Sequence, residues 1–335
     1  MFFASIDAHL QYLTIAVLDK DAVLRLETTV EAEPEPLLQA LSLFRPLRVV
    51  VETCPFWPWI CDTLVPAGID FRLAHAKELR AIAHSAQKND RVDARLLARM
   101  LHSDLIPQAY PRSPQQREFL RLIRHRTALV RHRTALAGRI HSQLHQAQLS
   151  LPREQLLARK TRSWLMEIAA SRLTIEQRRI VHSHLTLIDH YTPLIRALDR
   201  EITRQGKEWP VVDLLRTVPG IGSHWGMLLA AEILPIGRFA TAAHLVSYAG
   251  LAPVTRSSGG HTHYGSLPAS ANRWIRWAFI SAVAKHVQHS PESPIARTYQ
   301  QLKERIGWRK ARVAAARKMA TVVYRILQDQ EPWRP

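Results

Sequence analysis

The order of apolar segments in the first hundred residues constrains the fold more than any other feature of the chain. Three short apolar runs, separated by polar breaks, predict strands at residues 2–7, 12–18 and 22–27. The pattern then alternates, and predicts helices at 37–44, 56–66 and 89–102 and strands at 47–51 and 69–73. The strand at 47–51 is almost continuously apolar, which is typical of a strand buried on both faces. Together these elements indicate an α/β domain built on one mixed sheet.

A three-strand meander followed by strands that alternate with helices is the element order of an RNase H-like fold. Four acidic residues lie on or at the ends of these predicted elements. Asp7 lies on the first strand, Glu52 follows the fourth, and Asp90 and Asp93 share one face of the helix at 89–102. Carboxylate oxygens that converge on divalent cations support in-line chemistry at phosphodiesters, and a cation would also relieve the repulsion between neighbouring acids. Alternatively, the last two are surface acids balanced by the basic residues beside them, which are Lys88, Arg91 and Arg95.

The basic residues of the chain are unevenly distributed. The chain has 46 Lys+Arg and 28 Asp+Glu, a formal net charge of +18, yet residues 1–110 hold 11 of the basic and 14 of the acidic side chains. An acidic domain joined to strongly basic ones fits a metal site on the first and polyanion-binding surfaces on the others. Nucleic acid is the polyanion that also supplies a phosphodiester. Solvated basic helix faces are the alternative explanation.

Composition also bounds where the protein works. The only two cysteines, Cys54 and Cys61, make a disulfide framework or a zinc site unexpected. No apolar run approaches the ~20 residues that span a bilayer, and the N-terminus lacks a signal-peptide pattern. We therefore expect a protein of the reducing cytosol, cytoplasmic and without a membrane partner.

Prolines 107, 111 and 114 mark a boundary, and we predict three regions, at residues 1–110, 111–205 and 206–335. The middle region opens with a long predicted helix, 115–148, that holds seven arginines, four histidines and one acid beside an apolar stripe. This composition indicates a basic, coiled-coil-like arm. Its candidate nucleic-acid contacts are Arg124, Arg131 and Arg139. We expect helix to continue to about residue 202, with breaks near Pro152 and Pro193. A plain helical bundle is the alternative for this region.

The third region opens with Val-Pro-Gly-Ile-Gly at 218–222, which is typical of a helix-hairpin-helix motif. There, Gly220 and Gly222 would let the backbone approach a phosphate at the N-terminus of the next helix. The same residues also suit a plain tight turn. Mostly helical sequence follows, at 225–233, at 272–287 and across the basic stretch 297–325.

A loop rich in serine, glycine and histidine interrupts this helical sequence at residues 255–265. A serine beside glycine, arginine and histidine suits a nucleophile at a phosphate, but Ser-Ser-Gly is also ordinary loop sequence. His261 and His263 would shuttle protons, bind phosphate or do neither, because His-x-His alone does not make a metal site.

Taken together, these motifs resemble the IS110/IS1111 family of insertion-sequence transposases over nearly the whole chain. The N-terminal match, formed by Asp7, Glu52 and segment 88–94, resembles the family's DEDD motif in a RuvC-like domain. The C-terminal match comprises segments 218–222, 248–253, 257–259 and 261–265, then Asn272 and segment 274–277. The shared order and approximate spacing of all these blocks make the resemblance specific.

The resemblance implies a mechanism that residue spacing alone does not give. Family members are recombinases guided by an element-encoded structured RNA, the bridge RNA, which pairs with both donor and target DNA. The four acids bind Mg²⁺, and a serine of the C-terminal domain forms a covalent phosphoserine intermediate with DNA. The composite active site joins the acids of one protomer to the serine of another, in a tetramer made from two homodimers.

Carried onto this sequence, the resemblance places the nucleophile at Ser258, with Ser257 as the adjacent alternative. Many relatives carry a lysine and a glycine shortly after the position of Gly265, and this chain does not. The phosphate contact of that lysine would pass to Arg273 or Arg276. Another basic side chain, Arg256, is the cation nearest to Ser258 in sequence and would offset charge on the reacting phosphate.

Two other functions fit the same residues. One is a RuvC-type nuclease or junction resolvase that hydrolyses DNA with a metal-activated water and leaves Ser258 structural. The other is a basic nucleic-acid-binding scaffold without catalysis, for which substitution of the acids would change nothing beyond folding.

Overall fold

The computed structural model describes residues 1–82, 90–151, 156, 163, 165–167, 171–258, 261–269 and 271–334. Only the backbone is described at residues 80–82, 90, 256–258, 261–262 and 264. The chain divides into two compact units, Met1–Gln115 and Gln116–Pro335. The first is an α/β unit and the second is mostly helical, as the sequence predicts.

The first unit is built on a six-stranded sheet in the order β3-β2-β1-β4-β5-β6. The β1–β2, β2–β3 and β5–β6 pairs are antiparallel, whereas β1–β4 and β4–β5 are parallel. The strands are β1 Phe2–Ala8, β2 Tyr12–Leu18, β3 Leu24–Glu31, β4 Leu47–Glu52, β5 Asp70–Ala74 and β6 Gln108–Ala109. The predicted meander and the two parallel strands are therefore confirmed. The two-residue β6 was not predicted, because it is too short to carry an alternating pattern.

Four helices accompany this sheet: α1 Pro34–Leu41, α2 Trp57–Leu64, α3 Ala76–Ile82 and α4 Asp90–His102. One side of the sheet packs on α1 and α2 through a core that includes Ile6, Val49 and Ile60. The other side packs on α4. Helix α1 starts three residues earlier than predicted, because Pro34 occupies the first helical turn, where a missing N–H costs nothing, instead of breaking the helix.

The second unit contains one hairpin and the helices whose bounds follow, with further helical residues at 165–167 and 171–172. The long helices are α5 Pro114–Gln146 and α6 Ile175–Gly206. The shorter elements are α7 Val211–Arg216, α8 Ser223–Ile233, the 3₁₀ turn Ile236–Arg238, α9 Ala242–Tyr248, β7 Thr255–Ser258, β8 His261–Tyr264, α10 Arg273–His289, α11 Pro294–Ile306 and α12 Trp308–Asp329. Helix α8 is buried from Gly226 to Ile233 and apolar there except for Glu232, and it forms the centre of a core shared with α10 and α12.

The structure corrects two expectations about this unit. The predicted break near Pro193 is wrong, because α6 runs continuously through that residue and buries Ile188 and Ile195 on either side of it. Packing on both sides of the proline therefore outweighs the one backbone hydrogen bond that it removes. The segment at 255–265, predicted as a loop, contains an antiparallel hairpin of β7 and β8. The predicted break near Pro152 lies outside the described residues.

The long basic helix predicted at 115–148 is confirmed as one helix, α5. Its distal half, with Leu136, Ile140 and Leu144, shares a buried core with Val181 and Leu185 of α6. This is packing within one chain, and the coiled-coil-like arm stays a prediction. Across the part of the chain that the structure describes, no helix is both long and apolar enough to cross a membrane.

Candidate active site and nucleic-acid interface

The parallel register of β1 and β4 brings two of the predicted acids to one edge of the sheet. Ile6 is opposite Val51 in this pair, so Asp7 and Glu52 follow at the carboxyl ends of adjacent strands. Side chains alternate along a strand, which places Asp7 on the same face as Ser5, and Glu52 on the same face as Val50. Since Val50 packs in a cluster with residues of α4, that common face is the one covered by α4.

Helix α4 brings the other two acids to the same edge. The Ser5 hydroxyl donates to the Ala94 carbonyl at 2.5 Å, while the ring of Phe3 contacts that of His102 at 5.0 Å between centroids. Because these contacts run in opposite order along the two elements, α4 is antiparallel to β1 and its N-terminus lies by the carboxyl end of β1. That N-terminus carries Asp93, which is half-buried, and the backbone of Asp90.

The electrostatic environment of Cys54 indicates that the carboxylates of Asp7 and Glu52 both lie near this one side chain. Burial raises the pKa of the half-buried Cys54 thiol, and the charges of Glu52 and Asp7 raise it further. Two carboxylates can both disfavour the thiolate only where both lie near it. On its outer side, Asp7 Oδ2 lies 3.1 Å from His9 Nε2. Partly exposed carboxylates at one sheet edge are suitable ligands for a hard divalent cation.

The acidic side chains that the structure describes do not by themselves form a complete metal site. No group of three or more His, Cys, Asp or Glu side chains among those described is placed to hold a metal ion. The Asp90 side chain, predicted as the fourth member, lies outside what is described. Asp7, Glu52 and Asp93 therefore share an edge of the fold, and the complete set of four remains a prediction.

The backbone of the β7–β8 hairpin separates the two candidate serines. Ser258 is opposite His261 and Arg256 is opposite His263. Alternate positions of a strand share a face, so these four residues occupy one face of the hairpin. Ser257, opposite Thr262, occupies the other face. The register thus groups Ser258 with the cationic and titratable residues, a grouping that the sequence pattern of a loop did not reveal.

The two glycines of the predicted helix-hairpin-helix turn have different surroundings. Gly220 has φ +92°, and an added Cβ would overlap the Ala282 carbonyl and lie 2.8 Å from the His286 nitrogen. It is required for close packing of the turn on α10. Gly222 stands at the N-terminus of α8, with nothing within 4 Å of an added Cβ. Only Gly222 of the pair therefore leaves the backbone open to an approaching phosphate.

An open groove of about 510 Å³ borders this turn. Its lining includes three basic side chains that the sequence analysis did not select, Arg216, Lys285 and His289. The last two are four residues apart on α10 and so share a face, which is the sequence signal that would have found them. Beside the groove, Trp225 meets the exposed Trp277 edge to face at 4.9 Å. Cations and aromatic faces together suit a nucleic-acid strand.

The six arginines predicted to contact nucleic acid also differ in their placement. Arg131, Arg139 and Arg273 are exposed on helices α5 and α10. Arg124 instead pairs with the buried Glu232, and Arg276 donates to the Pro268 carbonyl. Burial lowers the pKa of the Arg276 guanidinium. The sixth, Arg256, lies on the hairpin face described above, and its side chain is not described.

A titratable histidine beside the groove makes the stability of the second unit depend on pH. Burial, together with the positive charge of Arg126, lowers the pKa of His224 to about 4. In the unfolded chain the pKa of this histidine is about 6.5, so between pH 6.5 and pH 4 the unfolded state binds a proton that the folded state does not. The free energy of unfolding therefore falls as the pH falls through this window. At pH 5 we expect His224 to cost about 2 kcal/mol relative to pH 7.

Urea unfolding of wild type and His224→Gln at pH 7 and pH 5 measures this cost. The buried His286 also has a pKa lowered by burial, so it contributes to the acid sensitivity of both proteins equally. Only the difference between the two proteins therefore reports His224. An equal loss of stability on acidification in the variant and the wild type would contradict the prediction.

Two family models match the chain. One for DEDD transposases of the IS110 type, described as a transposase, matches residues 4–148, and the Transposase IS116/IS110/IS902 family matches residues 212–300. A DEDD domain of this kind implies dependence on a divalent metal ion. The first match contains every acid of the predicted set, and the second contains Ser258 and the turn at 218–222.

Individual relatives extend these matches over most of the chain. The IS1111A transposase of Coxiella burnetii is 24% identical over 289 residues, 85% of this chain and 79% of its own length. The pilin gene-inverting protein of Moraxella bovis is 26% identical over 295 residues, 86% of this chain and 82% of its own. An uncharacterized 43.6 kDa protein of insertion element IS110 from Streptomyces coelicolor is 34% identical over 137 residues, 40% of this chain. That alignment spans about a third of the Streptomyces protein, 33% of its length.

Proposed function

Because the chain belongs to the IS110/IS1111 family of transposases, we propose that it is a DNA transposase or recombinase that breaks and rejoins phosphodiester bonds. The observation that carries the proposal is the meeting of Asp7, Glu52 and the start of α4 at one edge of the RNase H-like sheet. The relatives named for transposition and for gene inversion support the same class of reaction.

In this proposal the acidic half of the site binds Mg²⁺. Asp7, Glu52, Asp90 and Asp93 would hold the ion, and it would stabilise negative charge on the scissile phosphate. The chain's own contribution is to keep the carboxylates at one edge, which the parallel β1–β4 pair and the bond from Ser5 to Ala94 achieve. His9, beside Asp7, limits the free rotation of that carboxylate.

The serine half performs the exchange of bonds. The Ser258 oxygen forms a bond to phosphorus, the bond from phosphorus to a deoxyribose oxygen breaks, and that oxygen takes up a proton and leaves as a hydroxyl. The serine proton passes to a base, for which His261 and His263 are the titratable residues on the same hairpin face. Arg256, also on that face, offsets charge on the phosphate. A second DNA hydroxyl then attacks the phosphoserine and releases the serine, so the phosphodiester energy is conserved.

Guide RNA and assembly complete the proposal. We propose that a bridge RNA selects donor and target DNA by base pairing, and that dimers pair into a tetramer in which the acids and the serine come from different protomers. The three-region division of the chain belongs to the same proposal. The support for nucleic-acid binding in this proposal is the basic composition of residues 111–335, which carry 35 Lys+Arg against 14 Asp+Glu.

The exposed arginines of α5 should bind nucleic acid without reading its sequence. We expect Arg131→Ala and Arg139→Ala to weaken binding of the guide RNA several-fold at 0.1 M salt, and to reduce the slope of log affinity against log salt by about 1 each. Insertion sites should stay the same, because base pairing chooses them. Fluorescence anisotropy across salt concentrations and sequencing of insertion junctions measure the two effects. A redirected insertion pattern would contradict guidance by RNA.

A further inference from the structure

The segment that carries Ser258 begins and ends at two residues that are hydrogen-bonded to each other. Tyr248 ends α9 and Asn272 precedes α10. The Asn272 backbone N–H donates to the Tyr248 carbonyl at 3.2 Å, and its side-chain amide donates to the Tyr248 hydroxyl at 3.3 Å. Residues 249–271, which include the hairpin, therefore leave and rejoin the helical core at one point.

That point is anchored on an ion pair whose carboxylate is buried and whose guanidinium side chain is partly exposed. The Asn272 amide nitrogen also donates to Glu232 at 2.8 Å, while its oxygen accepts from the Trp274 and Ile275 nitrogens and caps α10. The Glu232 side chain is fully buried on α8, and its second oxygen accepts from Arg124 of α5. A buried carboxylate needs such a cation, since an unpaired one would cost several kcal/mol. Arg124 thus acts on the segment through Glu232 and Asn272.

A second contact joins the two arms of the segment just above its base. The Arg276 guanidinium donates to the Pro268 carbonyl on the returning arm. On the outgoing arm, Gly250 has φ +64°, and any Cβ there would overlap the same guanidinium. Arg276 therefore lies between the two arms, in a gap that glycine keeps open, and not on an open surface available to DNA.

We propose that Arg124, Glu232 and Asn272 are positioning residues that fix the segment bearing the catalytic serine, and that Arg124 contributes no direct contact to nucleic acid. The link from these residues to catalysis rests on the proposed function, because it assigns Ser258. A nucleophile must be held to within about an ångström of its reactive position, and a misplacement of that size costs ~10²-fold in rate. Loosening the base of the segment would permit such a misplacement.

The first experiment compares Arg124→Ala with Arg131→Ala, a matched change two turns further along α5 at an exposed position. We expect Arg124→Ala to slow formation of the covalent protein–DNA adduct ~10- to 100-fold, with RNA and DNA affinity within about two-fold of wild type and an unchanged salt slope. Arg131→Ala should instead lose affinity and show a reduced salt slope. Arg124→Ala leaves Glu232 unpaired, so the double variant Arg124→Met/Glu232→Leu, which removes both charges, tests the same point in a better-folded protein.

The second measurement does not depend on catalysis. Hydrogen exchange of the full-length protein alone should be at least ten-fold faster across residues 249–271 in Arg124→Ala and in the double variant, and unchanged there in Arg131→Ala. Unchanged exchange in this segment, or a loss of affinity and salt slope like that of Arg131→Ala, would overturn the proposal. If Ser258→Ala keeps its adduct, the serine assignment fails, while the exchange result still decides whether Arg124 fixes the segment.

Discussion

Ser258→Ala is expected to abolish the covalent protein–DNA adduct, at least ~10³-fold below wild type, because alanine has no oxygen to bond to phosphorus. The measurement incubates the protein with its guide RNA, Mg²⁺ and end-labelled donor and target DNA, and follows label that stays with protein through denaturation. Ser257→Ala is the matched control. Its position lies on the opposite face of the hairpin, away from Arg256 and His263, so it should retain the adduct.

The competing functions give different results in the same assay. Cleaved DNA without an adduct, unaffected by Ser258→Ala, would indicate a nuclease that uses a metal-activated water. Binding without any cleavage would indicate a scaffold. An adduct that Ser257→Ala abolishes and Ser258→Ala preserves would move the nucleophile by one residue and contradict the face assignment.

Glu52→Gln and Asp7→Asn are expected to reduce the rate of adduct formation by ~10³-fold or more while leaving nucleic-acid binding intact. Each change is isosteric and removes one negative charge from the edge where β1 and β4 end, so the loss comes from weakened metal binding and not from packing. The rate of adduct formation at increasing Mg²⁺ concentration, with affinity measured in parallel, tests this. Partial recovery at high Mg²⁺ would be consistent with lost metal affinity.

The control for these variants is Glu35→Gln, an acid of the same unit that is exposed on α1, a helix that packs on the side of the sheet opposite α4. It should behave as wild type. Full activity of Glu52→Gln and Asp7→Asn, or activity that persists in excess chelator, would contradict a metal role for the acidic edge.

The acidic edge could be predicted from sequence because it depends on strong, local patterns. The apolar runs of β1 and β4 have a clear length and end, and parallel strands place their carboxyl ends side by side. These two facts alone predict that Asp7 and Glu52 lie side by side. The helical pattern of α4 likewise predicted the place of Asp93, since Leu97 and Met100 of that helix pack in a core with Val50 of the sheet, although Val92 is exposed.

The roles of Arg124 and Gly220 could not be predicted in the same way. Arg124 lies in an arginine-rich helix, and its partner Glu232 is 108 residues away in sequence. The sequence pattern predicts that Gly220 is a phosphate-binding glycine, yet the backbone of α10 occupies the space beside its Cα. In both cases a distant element supplies the contact, so local composition suggests a role in nucleic-acid binding where the fold shows a packing or ion-pair contact within the unit. The β7–β8 hairpin was not predicted for a different reason: its residues are mostly polar and show no alternation of apolar and polar side chains.

Mass spectrometry of the trapped adduct tests the central claim most directly. The adduct formed with guide RNA, Mg²⁺ and donor DNA would be digested with nuclease and protease, and the modified peptide sequenced. We predict a nucleotide attached through phosphate to Ser258, and its absence when the reaction is run with Glu52→Gln. A nucleotide on Ser257, on a histidine or on any residue outside the hairpin would contradict the account, as would unmodified peptides recovered from a reaction that has cleaved its DNA.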